Sequence, residues 1–235
     1  MKLLKIILML TIVIIALLFA WNNLFISEEN RSVAPFNSIY VSGPINIYIK
    51  QAEQESIIIR SDSNLLDNLI TKVINGELKI YSEGRIQHER VLDVYINYKN
   101  LDSIHASGAS TITGRSILTT GKLKIKTSNA SEVKLQVKVD SLNLIMNDNA
   151  NVQLAGIVTN FDLLITHVGD LMAYNLVSQH CKATIVTGNQ SPGIARINVE
   201  KSLNVFIKGP RYIKYKGEAK VENQFIDGKG KLIKI

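Results

Sequence analysis

Ser107-Gly108-Ala109-Ser110-Thr111-Ile112 returns as Ser128-Asn129-Ala130-Ser131-Glu132-Val133, then as Asn147-Asp148-Asn149-Ala150-Asn151-Val152, and more weakly as His167-Val168-Gly169-Asp170-Leu171. The apolar residue closing each copy falls at 112, 133, 152 and 171, so successive steps are 21, 19 and 19 residues. Two further steps of similar size pass a degenerate copy around Gly188-Asn189-Gln190 and reach Lys208-Gly209-Pro210-Arg211-Tyr212-Ile213. Each copy follows a strand-like run, such as Leu142-Asn143-Leu144-Ile145 or Leu203-Asn204-Val205-Phe206-Ile207. A unit of strand, small polar corner and second strand is too short for a helix pair and suits one coil of a β-solenoid. The corner needs left-handed backbone angles, which glycine reaches freely and Asn or Asp at modest cost. Gly108, Asn129, Asp148 and Gly188 meet that need. Gly108, Ser110, Asn129, Ser131, Asp148, Asn149 and Gly209 are therefore read as structural corners, with a hydrogen-bonded ladder of Ser and Asn side chains between coils.

Upstream, the same alternation of apolar and polar residues continues back to Phe36, with no convincing amphipathic helix. Ile45–Lys50 and Ser56–Arg60 read as two strands of one hairpin, and Asn64 to Asn68 as a helical turn. Ile70–Ile74 joins Leu78–Tyr81 through Asn75-Gly76, the strongest short hairpin signal in the chain. The expectation is all-β: a right-handed parallel β-helix with coils of about 20 residues, preceded by β-hairpins and an N-terminal hydrophobic helix. Residues 36–235 form that domain and 26–35 a linker.

Residues 1–25 differ in kind. Lys2 and Lys5 precede an apolar run from Ile6 to Trp21 broken only by Thr11. The run approaches the roughly 20 residues a spanning helix needs, longer than the usual core of a cleaved signal. Basic residues before it and Trp21 at its far edge suit an anchor with its N-terminus in the cytoplasm. Ala16 and Ala20 leave a cleaved signal peptide open. The body is expected outside the cytoplasm, anchored through this segment, or periplasmic or secreted if the signal is cleaved. No cysteine follows the run, which argues against a lipid-modified N-terminus. The sole cysteine, Cys181, excludes an intramolecular disulfide and sits in a strand-like context as a small buried residue.

Phe36-x-x-Ile39 with Gly43 and the following strand, Asn75-Gly76-x-Leu78-x-Ile80, and Ser107-Gly108-Ala109-Ser110 with its echoes resemble the head GIN domain family, "putative autotransporter adhesin, head GIN domain". The resemblance covers about Ser32 to Ile235. It implies a β-helical domain with a repeated Ser-Gly-Ala-Ser corner, export to a Bacteroidetes-like envelope, and no established enzyme activity. Only the 107–110 copy is intact; Asn129, Asp148 and His167 replace the glycine elsewhere, as in a divergent member. The resemblance carries no ligand-binding residues to transfer.

The remaining chemistry is sparse. Asp148 and Asp170 are the best placed carboxylates for hydrolysis or lyase work, and both also suit turns. His88, His105, His167 and His180 lack metal-ligand spacing, and Ser107, Ser110, Ser128 and Ser131 lack a nearby His or a nucleophile elbow. No phosphate-cradling loop is present, and no cofactor or metal is implied. The net charge of +7 is spread along strands such as Lys122-Leu123-Lys124-Ile125-Lys126, the pattern of a solvated face rather than a nucleic-acid site. Tyr95, Tyr98, Tyr174, Tyr212 and Tyr215 are candidates for stacking on sugars, though strands also use tyrosine for packing. The reading is a non-enzymatic envelope protein offering a solenoid surface to an envelope protein or cell-surface glycan. The alternative is a polysaccharide-binding or polysaccharide-active β-helix, which predicts a groove with clustered carboxylates.

Overall fold

In the segment Glu132–Met146 every second residue from Val133 to Val139 is buried, the phase slips at Asp140-Ser141, and Leu142, Leu144 and Met146 resume it. Successive strand residues face opposite sides, so two consecutive outward residues bend a strand instead of ending it. The same slip recurs at Thr159-Asn160 and Gln179-His180. Each coil is thus one long bent strand closed by a tight corner. The computed structural model describes residues 7, 9–15, 26–84, 92–188 and 193–235.

Five long strands carry the repeat: β9 (Thr111–Thr127), β10 (Glu132–Met146), β11 (Asn151–Ile165), β12 (Leu171–Val186) and β13 (Ile194–Lys208). They pair in parallel, in chain order. β14 (Tyr212–Lys216) and β15 (Lys220–Asp227) both pair with β13, and β16 (Lys231–Lys234) pairs with β14. The sheet makes a β-solenoid of about six turns. Ile112, Val133, Val152 and Leu171, the residues that define the repeat, are direct partners in adjacent coils. The column continues through Ala195, Ile213 and Leu232. A second inward column runs Ile104, Ile125, Leu144, Leu163, Ala183, Val205. Cys181 lies in a third, between Phe161 and Leu203, and is 3% exposed. Burial pushes its thiol up, away from reactivity.

The N-terminal third departs from chain order. Its strands are β1 (Ile26–Arg31), β2 (Ser38–Ser42), β3 (Asn46–Gln51), β4 (Ser56–Asp62), β5 (Leu69–Ile74), β6 (Glu77–Ser82), β7 (Leu92–Tyr98) and β8 (Ser103–Ser107). The expected hairpin of β3 with β4 does not form, because β7 lies between them, parallel to β3 and antiparallel to β4. The other edge of β3 is taken by β9. Likewise β2 lies between β6 and β8, parallel to both. The coil containing β6 and β7 therefore stacks outside the coil containing β2 and β3, although it follows in sequence. The β5–β6 hairpin forms as expected, with Asn75 at φ 51 and Gly76 at φ 77, both left-handed as a type I′ turn requires.

Two further expectations need correction, the linker and the N-terminal hydrophobic helix. Residues 26–31, expected within a linker, form β1 and pair antiparallel with β4. One short helix, Ser63–Leu66, follows β4, close to the expected turn. Residues 7 and 9–15 are helical, while the rest of the expected N-terminal hydrophobic helix lies outside the described residues. No helix among the described residues is long and apolar enough to cross a membrane. His88, Asn189 and Gln190 also lie outside them.

Candidate functional site

The corners are two-residue turns. Gly108 and Ala109 (φ 66 and 62), Asn129 and Ala130 (52 and 60), and Asp148 and Asn149 (48 and 60) are consecutive left-handed pairs. Each is closed by an N–H to carbonyl bond across the corner: Ser110 to Ser107 (3.4 Å), Ser131 to Ser128 (3.2 Å) and Ala150 to Asn147 (3.4 Å). Stacking adds the ladder. Ser128 Oγ and Asn129 Nδ2 both donate to Ser107 Oγ at 3.1 Å, and Ser131 Oγ donates to the Ala106 carbonyl at 3.1 Å. Between coils, the Ala109 N–H reaches the Asn129 carbonyl at 2.8 Å and the Ala130 N–H the Asp148 carbonyl at 2.9 Å. A Cβ on Gly108 would press on the Gly43 backbone of the preceding corner, so the intact glycine there serves contact as well as conformation. Ser110 Oγ is buried without a partner among the described residues.

The fourth corner is built differently. The left-handed angle belongs to Gly169 (φ 132), not to His167, and a side chain on Gly169 would overlap the Ala150 carbonyl. Gly188 does not adopt a positive φ, contrary to expectation, whereas Gly209 does, at 118°. Thr166 Oγ1 donates to Asn147 Oδ1 at 2.5 Å, and His167 Nδ1 lies 3.6 Å from Asp148 Oδ1.

Beneath this corner lies Arg211, a fully buried cation that sequence reasoning missed. Its guanidinium donates to the His167 carbonyl at 2.9 Å and to the Gly169 carbonyl, and stands 3.9 Å from Asp170 Oδ1. Its Nε has no partner among the described residues. Burial pulls its pKa down and the Asp170 charge opposes that pull. A Cβ on Gly193 would collide with the guanidinium, so that glycine makes the room Arg211 occupies. Over the same corner opens a groove of about 710 Å³, lined in part by Asn149, Asn151, Asp170, Tyr212 and Lys229.

Asp148 and Asp170 do not act as a pair. Asp148 faces His167, while Asp170 Oδ1 accepts the Ile194 N–H at 3.0 Å and faces Arg211. Among the described residues no group of three or more His, Cys, Asp or Glu converges.

The tyrosines divide by burial. Tyr98 and Tyr215 are core residues, and burial pushes the Tyr98 phenol up to about 12. Tyr95 stacks on Tyr48 with centroids 4.9 Å apart, and Lys216 stands over Tyr174 at 5.8 Å. Only Tyr212 lines the groove. The most exposed aromatic pair went unremarked in the sequence. Phe206 and Phe225, 38% and 54% exposed, stack with centroids 5.0 Å apart and planes 12° from parallel. They end an outward column, Ile145, Leu164, Thr184, Phe206, Phe225, one residue per coil. Two residues earlier on each strand runs a polar column, Lys124, Asn143, Asp162, Lys182, Asn204, Asn223. Within it Asn223 Nδ2 donates to Asn204 Oδ1 at 2.6 Å, and Asn204 Nδ2 to Glu222 Oε2 at 3.1 Å. The period-two alternation of strands holds these two columns side by side on one face.

The profile of the family described as "Putative auto-transporter adhesin, head GIN domain" matches residues 35–219. A putative adhesin from Bacteroides fragilis superposes with a TM-score of 0.79 at 22% identity, over 89% of this chain and 97% of that one. One from Parabacteroides merdae gives 0.72 at 26% identity, over 91% and 97%. A third, from Parabacteroides distasonis, gives 0.72 at 25% identity, over 89% and 97%. A comparison with functionally curated proteins finds no match.

Proposed function

The chain belongs to the "Putative auto-transporter adhesin, head GIN domain" family, and from that membership we propose that it is a non-enzymatic, exported cell-envelope protein whose solenoid face serves adhesion or protein interaction. The observation that carries this reading is the outward column ending in Phe206 and Phe225 beside its row of Lys and Asn side chains. Apolar and aromatic side chains held in water at the spacing of parallel strands form a preordered contact surface, so docking a partner costs little side-chain entropy. The flanking amides and Lys182 supply the polar rim that such contact patches use. The body sits outside the cytoplasm in this reading, held by the N-terminal segment or released when that segment is cleaved. Asp148 and Asp170 face different partners, His167 and Arg211, and so do not form the cooperating carboxyl pair that glycoside hydrolysis ordinarily uses.

Beads coated with the full chain test the proposal on monolayers of bacterial and host epithelial cells. Retention above albumin-coated beads is expected. Replacing Phe206 and Phe225 together by serine should cut it several-fold without moving the unfolding midpoint. Retention at the albumin level, or release of reducing ends from a polysaccharide panel, would overturn it.

A further inference from the structure

We propose that the groove over the fourth corner binds a neutral pyranoside by reading a vicinal pair of hydroxyls, an assignment that deepens the adhesive reading above and rests on it. Asp170 and Asn151 are the reading pair. Asp170 Oδ1 is committed, accepting the Ile194 N–H at 3.0 Å with the buried Arg211 guanidinium 3.9 Å behind it. Its second oxygen has no partner among the described residues and stays an open acceptor. Asn151 Oδ1 accepts the Asp170 backbone N–H at 3.0 Å, which leaves the Asn151 amide N–H₂ as an open donor among the described residues. The two residues are joined by that backbone bond and both line the groove, so an acceptor and a donor on neighbouring side chains can serve adjacent hydroxyls, one donating to the carboxylate and its neighbour accepting from the amide. Both groups are oriented before any ligand arrives, so binding spends little on ordering them.

The rest of the groove fits the same ligand. Val168, Ile194 and Pro210 with the Tyr212 ring line it with apolar surface, suited to the C–H face of a sugar ring. Lys229 is the cation among the lining residues, while the buried Arg211 guanidinium holds its charge against two carbonyls and Asp170. A sugar read at the Asp170 carboxylate brings any negative charge of its own close to a like charge, which favours a neutral ring. The volume, about 710 Å³, lies in the ordinary range for small-ligand sites.

Isothermal titration of the full chain with the methyl glycosides of mannose, glucose, galactose and fucose, at up to roughly 10 mM, and with methyl glucuronide, tests the assignment. At least one neutral glycoside should bind saturably, and Asp170→Asn and Asn151→Ala should each weaken it about tenfold or more, the loss of one good hydrogen bond to a charged or fixed group. Asp170→Asn also removes the counter-charge of Arg211; if that variant unfolds, the affinity of Asn151→Ala alone decides for or against the site. The inference is overturned if no neutral glycoside saturates, if both variants bind as the parent does, or if glucuronide is preferred. Bead retention that survives such a failure leaves the adhesive reading standing and removes only this site.

Discussion

Ala109 and Ala130 sit at φ 62 and 60, where a Cβ crowds the following carbonyl at a cost of roughly 1–2 kcal/mol. Glycine avoids that cost but loses more freedom on folding, roughly 0.5–1 kcal/mol. Ala130→Gly should therefore stabilise the protein by about 0.5–1 kcal/mol, read as a higher urea midpoint with unchanged slope. A lower midpoint would mean that the Ala130 methyl packs for more than its backbone strain. His105 offers a test in pH. It packs edge-on against Tyr40, with centroids 4.9 Å apart, and faces Lys126, Lys124 and Glu77. Burial first, then Lys126, lowers its pKa below the ordinary 6.5. The unfolded chain then binds the proton more readily, so this group's stability is present above about pH 6.5 and is lost as pH falls towards the folded value. Thermal midpoints measured downward from pH 7 should decline more steeply in the parent than in His105→Gln. At this scale Gly108, Asn129 and Asp148 were legible because a left-handed turn restricts residue type. Arg211 was not legible, since only the enclosing corner and Gly193 turn an arginine into a buried pin. Gly188 misled for the converse reason: glycine permits a positive φ without requiring one.

Leu144 stands midway along an inward column, between Ile125 on one coil and Leu163 on the next, and is wholly buried. Leu144→Ala should cost about 2–5 kcal/mol, the range for emptying a leucine site in a packed core. Parallel coils contact only their neighbours, so the damage should concentrate in β9 to β11. Chemical denaturation gives the size, and proteolytic mapping should find new cuts there and not in β14 to β16. Cuts spread evenly would mean that the solenoid unfolds as a single unit. The long strands were legible because alternation and a repeat of about 20 residues reinforce each other on the same side chains. The β5–β6 hairpin was legible because Asn75-Gly76 encodes its turn locally. The insertion of β7 between β3 and β4 leaves no such mark. Leu92, Val94 and Ile96 alternate as any half-buried strand does, and their choice of neighbour rests on pairings some 40 residues apart in sequence.

The two ends of the solenoid are unlike. At the first, antiparallel β1 and β5 cover β4 and β6. At the other, β15 pairs only with β13 and β16 only with β14 among the described residues, and Val221, Ile226 and Leu232 are only partly buried. The groove and the Phe206–Phe225 pair both lie towards this less covered end. In a stack where each coil is stabilised by its neighbours, a coil with one neighbour opens more often than one with two. Native-state hydrogen exchange should therefore show β15 and β16 exchanging first, β12 and β13 later, and β10 and β11 near the limit of global unfolding. Saturating the groove with a bound glycoside should slow exchange at Asp170 and Ile194, since a ligand that binds the closed form must be released before the corner opens. Equal protection from β9 through β16 would instead make the molecule one cooperative block, with the contact face as firm at Phe225 as at Ile145.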